Sequence, residues 1–145
     1  MKIVLQRVSN ASVKVDNEIV GSIDHGMLLL IGFSSNDTEE SILPTIEKIV
    51  KLRIFSDEEG KMNKSVLDVN GSALLVSQFT LYADTKKGNR PSFIEAARPE
   101  KAIPLYEFFI AEMKKRISKV ETGIFGAEMK VELANDGPVT ILFET

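Results

Sequence analysis

The chain has 145 residues, of which 43% are hydrophobic and 27% charged, and a net charge of −3, as expected for one soluble globular domain with a sizeable core. The absence of cysteine excludes disulfides, thiol nucleophiles and cysteine-ligated zinc or iron–sulfur sites, and a Ser-His-Asp triad would have to use the single histidine, His25. No apolar run is long enough to span a bilayer, and polar residues interrupt the N-terminus too early for a signal peptide. We therefore predict a cytoplasmic protein without membrane contact.

The first part of the chain is predicted to form β-strands over residues 2–8, 11–15, 18–23 and 27–33. A turn at 16–17 closes a hairpin, and the continuous apolar run 27–33 is typical of a central strand covered on both faces. Another turn holds His25, for which we predict exposure and no catalytic role. Arg7 lies between apolar neighbours in the first strand. It is either part of a solvated strand edge or a bidentate clamp on a carbonyl or carboxylate.

A helix is predicted next, starting within residues 36–40 and continuing through Arg53. Pro44 lies early in its apolar pattern and is expected to kink the helix or delay its start. Beyond it we predict an extended segment at 53–55, an irregular segment at 62–66 and a turn at 68–71.

The most informative stretch is the end of the strand predicted at 73–76. Ser77, Gln78, Phe79 and Thr80 follow it directly, and chemistry tends to occur where rigid elements end. Strand alternation places Gln78 and Thr80 on one face and Ser77 and Phe79 on the other. The hydroxyls could donate, accept or attack, and the Gln78 amide could bind a carbonyl or a ribose hydroxyl. The simpler interpretation is a strand end whose hydroxyls satisfy local backbone groups.

The rest of the chain is predicted to contain a polar loop at 84–91, a short helix at 92–97 and a longer helix opening at Pro99. Alternating residues 127–133 predict a strand, and 139–143 predict the last strand. Between them, Asn135-Asp136-Gly137-Pro138 is the strongest turn signal in the chain.

Charge is segregated along the sequence. Residues 86–119 contain nine basic and four acidic side chains, a net of +5, which leaves −8 on the remainder. A basic segment of this kind can bind a polyanion locally. For Lys114-Lys115-Arg116 the alternative is that they complement the C-terminal dipole of the second helix.

Several motifs, in this order, closely resemble those of the D-aminoacyl-tRNA deacylases. The resemblance covers essentially the whole chain and depends mainly on two stretches, residues 77–81 and Asn-Asp-Gly-Pro-Val-Thr at 135–140. The other similar motifs lie at residues 6–8, 61–63, 83–85, 87–93 and 122–127.

The resemblance implies an α/β fold in which antiparallel β-sheets form a barrel-like core with helices packed outside, and it implies a homodimer. It also implies hydrolysis of the ester that joins a D-amino acid to the 3′-terminal ribose of tRNA, with glycine also accepted. The sequence offers no convincing cluster of metal ligands, so we predict a reaction without a metal or cofactor. Ser77, Gln78, Phe79 and Thr80 are then the catalytic segment.

Selection of the D-amino acid is implied to depend on Gly137 and Pro138. Their peptide bond is cis in the family and enters the pocket of the partner subunit, where its wall would clash with an L-residue. Arg7 is implied to lock this element, and Met129 and Asn135 complete the set of substrate-binding residues.

Two catalytic schemes remain open at this point. Thr80 could be a nucleophile, but the sequence supplies no evident base to activate it. We prefer attack by water assisted by the ribose 2′-hydroxyl of the substrate, with the backbone N–H groups of Phe79 and Thr80 as oxyanion donors. Lys86, Lys87 and Arg90, together with the basic patch Lys114–Lys119, are the predicted tRNA contacts, through phosphates rather than bases.

Two other functions fit the sequence less well. One is a dimeric RNA-binding module without catalysis, which the basic segment and the lack of a catalytic base favour. The other is a threonine-dependent hydrolase of small esters, which would not need the basic segment. Comparing hydrolysis of D- and L-tyrosyl-tRNA separates the first function from the predicted one, and activity on a free D-amino acid ester would favour the second.

Overall fold

A computed structural model describes all residues from Met1 to Thr145. It contains eight strands, two α-helices and a short 3₁₀ helix. In chain order these are β1 (Lys2–Val15), β2 (Glu18–Ile23), β3 (Gly26–Gly32), α1 (Glu39–Lys51), β4 (Phe55–Ser56), β5 (Met62–Lys64), β6 (Ser72–Ser77), the 3₁₀ helix (Phe79–Tyr82), α2 (Pro99–Lys114), β7 (Val120–Thr122) and β8 (Lys130–Glu144). No helix is both long and apolar enough to cross a membrane.

Six strands form one mixed sheet in the order β2-β1-β3-β6-β7, with β8 paired to β1 on its other side. The pairs of β1 with β2, β3 and β8 are antiparallel, whereas β3–β6 and β6–β7 are parallel. Parallel neighbours need long crossovers, and α1 and α2 supply them. The sheet curls until β2 contacts β6 and β7. The predicted α/β barrel-like fold is therefore confirmed. Its sheet is mixed, because the pairs β3–β6 and β6–β7 are parallel where antiparallel sheets were expected.

The curled sheet separates two apolar cores. The larger core lies between the sheet and the two helices, and β1, β3 and β6 contribute residues such as Leu5, Leu29 and Leu75 to it. The smaller core lies inside the barrel, around Val13, Leu28 and Leu74. Because β3 and β6 are buried on both faces, their sequences read as continuous apolar runs.

Both helices begin where their sequences predict a start. Thr38 caps α1 through a capping box with Ser41, and Pro99 occupies the first position of α2. Pro44 lies inside α1 without ending it. It falls in the second turn on the exposed side, so the carbonyl that loses its donor, that of Glu40, is in an exposed residue.

The predicted turn at 135–138 is wrong as a boundary between two strands. β8 runs without interruption from Lys130 to Glu144 and pairs with β1, Val8 with Asn135 and Gln6 with Thr140. Four residues of β8 therefore stand opposite the single residue Arg7, and this bulge takes up the Gly-Pro sequence. β1 is likewise one strand instead of two.

Two further local predictions are wrong. Residues 92–97 form no helix, because Ala96 and Ser92 make isolated bridges to Ser34 and Asp84 instead. Residues 62–64, predicted to be irregular, form β5, which pairs with β4.

Candidate active site

A cavity of about 550 Å³ opens at the carboxyl ends of the parallel strands β3 and β6. Ile31 and Gly32 of β3 and Val76 and Ser77 of β6 form its floor, because parallel strands end at the same edge of a sheet. The start of α2 and the segment 125–129, which includes the predicted residue Met129, form its walls. Twelve of its 18 lining residues are hydrophobic. The cavity therefore suits a small, largely apolar group held by a few polar contacts.

The polar stretch after β6 supplies polar contacts at the cavity. Ser77, Gln78 and Phe79 line the cavity, whereas Thr80 is exposed and does not. The predicted alternation of faces is wrong beyond Ser77, because the backbone leaves the extended conformation at Gln78 and enters the 3₁₀ helix. The side chains of Gln78 and Thr80 still meet, with Nε2 of Gln78 donating to Oγ1 of Thr80 at 2.5 Å.

An aromatic pair stands at the mouth of the cavity. The rings of Phe79 and Phe93 meet edge to face with centroids 5.2 Å apart, and the Phe79 side chain is 55% exposed. A ring this exposed on a pocket wall is available to contact a ligand.

Arg7 was predicted either to lie at a solvated strand edge or to clamp a carbonyl or carboxylate. The side chain is buried, so the structure favours the clamp. Its side chain donates from Nε to the carbonyl of Asp136 at 2.8 Å and from Nη1 to the carbonyl of Ile54 at 2.5 Å. Nε also lies 3.3 Å from a carboxylate oxygen of Asp136. The guanidinium thus ties β1 and the segment before β4 to the bulge in β8.

The bulge in β8 does not line the cavity of its own chain. Asn135, Gly137 and Pro138 do not line that cavity, and Gly137 and Pro138 are exposed. The Gly137–Pro138 peptide bond is cis, and Gly137 has a φ of +130°. The structure therefore places Met129 with the catalytic segment, and it separates the other predicted substrate-binding residues from it within one chain.

The basic residues fall into two groups. Lys86, Lys87 and Arg90 are exposed in a loop closed by paired backbone hydrogen bonds between Asp84 and Ser92, at 2.8 and 2.9 Å. None of the three makes a salt bridge, so their charges are available to a partner.

The second basic group is partly structural. Arg116 bridges Glu112 in α2 and Glu47 in α1, at 2.7 and 2.6 Å, and Lys115 also pairs with Glu112. Hydrogen bonds from Lys115 and Arg116 lower the pKa of Glu112, and hydrogen bonds from Arg116 and Lys51 lower that of Glu47. Arg116 therefore links the two helices, whereas Lys115 and Lys51 pair with acids three or four residues away.

The sequence patterns did not predict Arg98 as a cavity residue. Arg98, directly before Pro99, is the one charged side chain among those that line the cavity, and it forms no ion pair. A basic residue at the start of a helix opposes the dipole. That unfavourable position in the sequence indicates that Arg98 has a role other than stabilising the helix.

No histidine, aspartate, glutamate or lysine lines the cavity. His25 precedes Gly26 at the opposite end of β3, about 20 Å away by the length of the strand. No group of three or more histidine, aspartate or glutamate side chains is placed to hold a metal ion. The polar side chains that line the cavity are those of Ser77, Gln78 and Arg98.

The fold and the site together define a class of protein: an α/β barrel-like fold with a largely apolar binding cavity next to a polar strand end. The family model described as D-Tyr-tRNA(Tyr) deacylase matches residues 4–144, so the chain belongs to that family. The D-aminoacyl-tRNA deacylase of Brevibacillus brevis is 56% identical over 145 residues, 100% of both chains. That of Limosilactobacillus reuteri (strain DSM 20016) is 56% identical over 144 residues, 99% of both chains.

Two solved structures share the fold. A "c-Myc DNA Unwinding Element Binding Protein" has a TM-score of 0.94 at 43% identity, covering 100% of this chain and 99% of that one. A "probable eukaryotic D-amino acid tRNA deacylase" has a TM-score of 0.84 at 19% identity, covering 98% of this chain and 97% of that one.

Proposed function

We propose that this chain hydrolyses the ester bond of D-aminoacyl-tRNA, releasing the free D-amino acid and tRNA. The observation that carries the proposal is full-length identity of 56% to relatives named D-aminoacyl-tRNA deacylase. The cavity agrees with it, since an apolar pocket of about 550 Å³ is within the range that takes an amino acid and a terminal nucleoside. A tRNA substrate implies a cytoplasmic protein. Glycyl-tRNA also fits the cavity, because the glycyl group has no side chain.

The reaction is carried by backbone groups and by the substrate. The first N–H groups of the 3₁₀ helix, those of Phe79 and Thr80, have no acceptor in its ladder and supply donors for the developing oxyanion. Gln78 and Ser77 orient the ribose and the ester. Water attacks the carbonyl, with the ribose 2′-hydroxyl assisting the proton transfer, and the bond between the carbonyl carbon and the ribose 3′-oxygen breaks.

Replacing Thr80 with valine distinguishes this scheme from a covalent one. Its hydroxyl accepts from Gln78 and has no base beside it, so we expect kcat to stay within about fivefold of wild type. Single-turnover hydrolysis and intact mass measure the result. A loss of several hundredfold in a folded protein, or an acyl group trapped on Thr80 of the wild type, would instead establish a threonine nucleophile.

Chirality is selected across a homodimer in this proposal. Gly137 and Pro138 are exposed, Arg7 holds the neighbouring Asp136, and neither Gly137 nor Pro138 lines the cavity described above. β8 pairs only with β1, so its other edge is free, and Leu142 on it is 73% exposed. A second copy would cover that edge and receive the Gly-Pro bulge beside its own Met129.

The basic loop holds the tRNA in this proposal. Lys86, Lys87 and Arg90 contact phosphates, and Arg98 at the cavity contacts the phosphate nearest the terminal ribose. We expect Lys86→Glu with Lys87→Glu to raise KM about tenfold at 50 mM salt with little change in kcat, and the difference to shrink at 300 mM salt. Steady-state kinetics at the two salt concentrations measure it.

The matched control makes the same charge change at two exposed cations that form no salt bridge, Lys48→Glu in α1 and Arg53→Glu just after it. It should leave KM near wild type if position matters and net charge does not. Equal effects from both double variants would contradict a tRNA contact at the loop.

The decisive experiment compares release of D-tyrosine and L-tyrosine from tRNA by the purified protein. We expect fast hydrolysis of the D-form and almost none of the L-form. The alternative function, a dimeric nucleic-acid-binding module without catalysis, is favoured by the 43% identical structure, which bears the name of a DNA-binding protein. Binding of tRNA without release of either amino acid would support that alternative.

A further inference from the structure

Tyr106 is a buried residue to which the proposed reaction assigns no part. It lies in the middle of α2, is 3% exposed and does not line the cavity. Its hydroxyl donates to the carbonyl of Leu75 in β6 at 2.8 Å, and its ring packs at an angle on Phe125 with centroids 6.1 Å apart. The hydroxyl therefore reaches from a helix to the edge of a strand.

That edge is the point where β7 leaves β6. The parallel register ends with Leu75 opposite Thr122, and the next residue, Gly123, donates its N–H to the carbonyl of Leu75 at 3.0 Å. Beyond Leu75, β6 continues to Ser77 without a strand on this side. A buried strand edge with no neighbour must find other partners for its backbone groups.

The Tyr106 hydroxyl approaches this edge from α2. It donates to the Leu75 carbonyl, which also accepts from the N–H of Gly123. Burial raises the pKa of Tyr106, and the backbone of Ser77 partly opposes that rise. The hydroxyl stays protonated at neutral pH and keeps its donor.

The carboxyl end of β6 is consequently held from both sides. On the β3 side, the N–H of Gln78 donates to the carbonyl of Ile31 at 2.7 Å. On the α2 side, the hydroxyl of Tyr106 holds the backbone at Leu75, two residues before Ser77. These contacts fix the strand end directly before the amides of Phe79 and Thr80.

We propose that Tyr106 is a positioning residue for the ester hydrolysis, whose hydroxyl fixes the end of β6 and so the orientation of the catalytic segment 77–80. The inference rests on the proposed function. Reacting groups must be held to within about 0.5 Å, so a strand end free to shift lowers the rate of the chemical step more than the binding of substrate.

The test is Tyr106→Phe, which keeps the ring and removes only the hydroxyl. We expect single-turnover kcat to fall about 10- to 100-fold with KM within about twofold of wild type. Amide hydrogen exchange should become faster at Ser77 and stay unchanged at Leu74, which is paired to β3. Phe109→Leu, one turn further along α2 in the same core, is the control that lowers the melting temperature without changing kcat.

Wild-type kcat in a folded Tyr106→Phe protein would overturn the inference, as would an equal loss in Phe109→Leu. If Tyr106→Phe does not fold, p-aminophenylalanine at position 106 restores a donor at nearly the same point. It should recover kcat together with folding, and recovery of folding alone would also overturn the inference. An inactive wild-type protein would sink the proposed function itself, whereas an active wild type with an equally active variant sinks only the role of Tyr106.

Discussion

Replacing Arg7 with alanine is expected to lower the melting temperature by about 6–15 °C and kcat/KM for D-aminoacyl-tRNA by roughly 100-fold. Arg7 is 8% exposed, and its guanidinium donates to two carbonyls, those of Ile54 and Asp136. Its removal leaves these acceptors without their donor, at about 1–3 kcal/mol each, and opens a void at the edge of the larger core. It also frees the bulge that we propose to enter the partner's cavity.

Lysine at position 7 should give an intermediate result, because a single ammonium cannot reproduce the fork of a guanidinium toward two acceptors. Lys14→Ala is the matched control. It removes another basic residue of β1 that pairs with β8, through an exposed contact with Glu132 at 2.9 Å. We expect it to shift the melting temperature by less than about 2 °C. Calorimetry and single-turnover kinetics test these variants, and full activity in Arg7→Ala would contradict the proposed role of the clamp.

Gly137→Ala is expected to be the second most damaging change. A methyl group at this position would lie 2.9 Å from Cγ2 of Val139 and 3.0 Å from Nη2 of Arg7. The φ of +130° is, in addition, nearly restricted to glycine. We expect the free energy of unfolding to fall by about 2–4 kcal/mol, and the ratio of D- to L-tyrosyl-tRNA hydrolysis to fall at least tenfold as the wall moves.

Gly60→Ala separates backbone strain from the displaced wall. Gly60 also has a positive φ, +78°, but nothing lies within 4 Å of a methyl group there, in a loop far from Arg7 along the chain. We expect a loss of about 1 kcal/mol in the free energy of unfolding and an unchanged D-to-L ratio. Urea unfolding and the two-substrate assay measure both variants. An unchanged ratio in Gly137→Ala would rule out this bulge as the selecting wall.

Local chemistry was enough to predict the elements that carry the catalytic segment. The apolar run before Ser77 forms β6, and Pro99 opens α2 because its fixed φ and missing N–H suit the first turn. The polar loop at 84–91 is also present. In each case the residues impose the structure within one turn or one strand length.

Local chemistry failed where distant pairing overrode it. Asn135 to Pro138 have the composition of a turn, yet β1 pairs with β8 on both sides of them and converts the turn into a bulge. Residues 92–97 lose their predicted helix to bridges with Ser34 and Asp84. Partners many residues away decide these conformations, so a local sequence pattern cannot predict them.

The sequence by itself determined both α-helices, most of the strands and the family, because backbone preference and side-chain chemistry are properties of short stretches. It divided β1 and β8 and missed β5, which depend on distant pairing. Only the tertiary structure decided that Arg7 is buried against the β8 bulge, that Arg98 lines the cavity and that Tyr106 closes the edge of β6. Each of these side chains acts on a backbone or a cavity formed by other elements. Its surroundings exist only once the sheet has curled and the helices have packed on it.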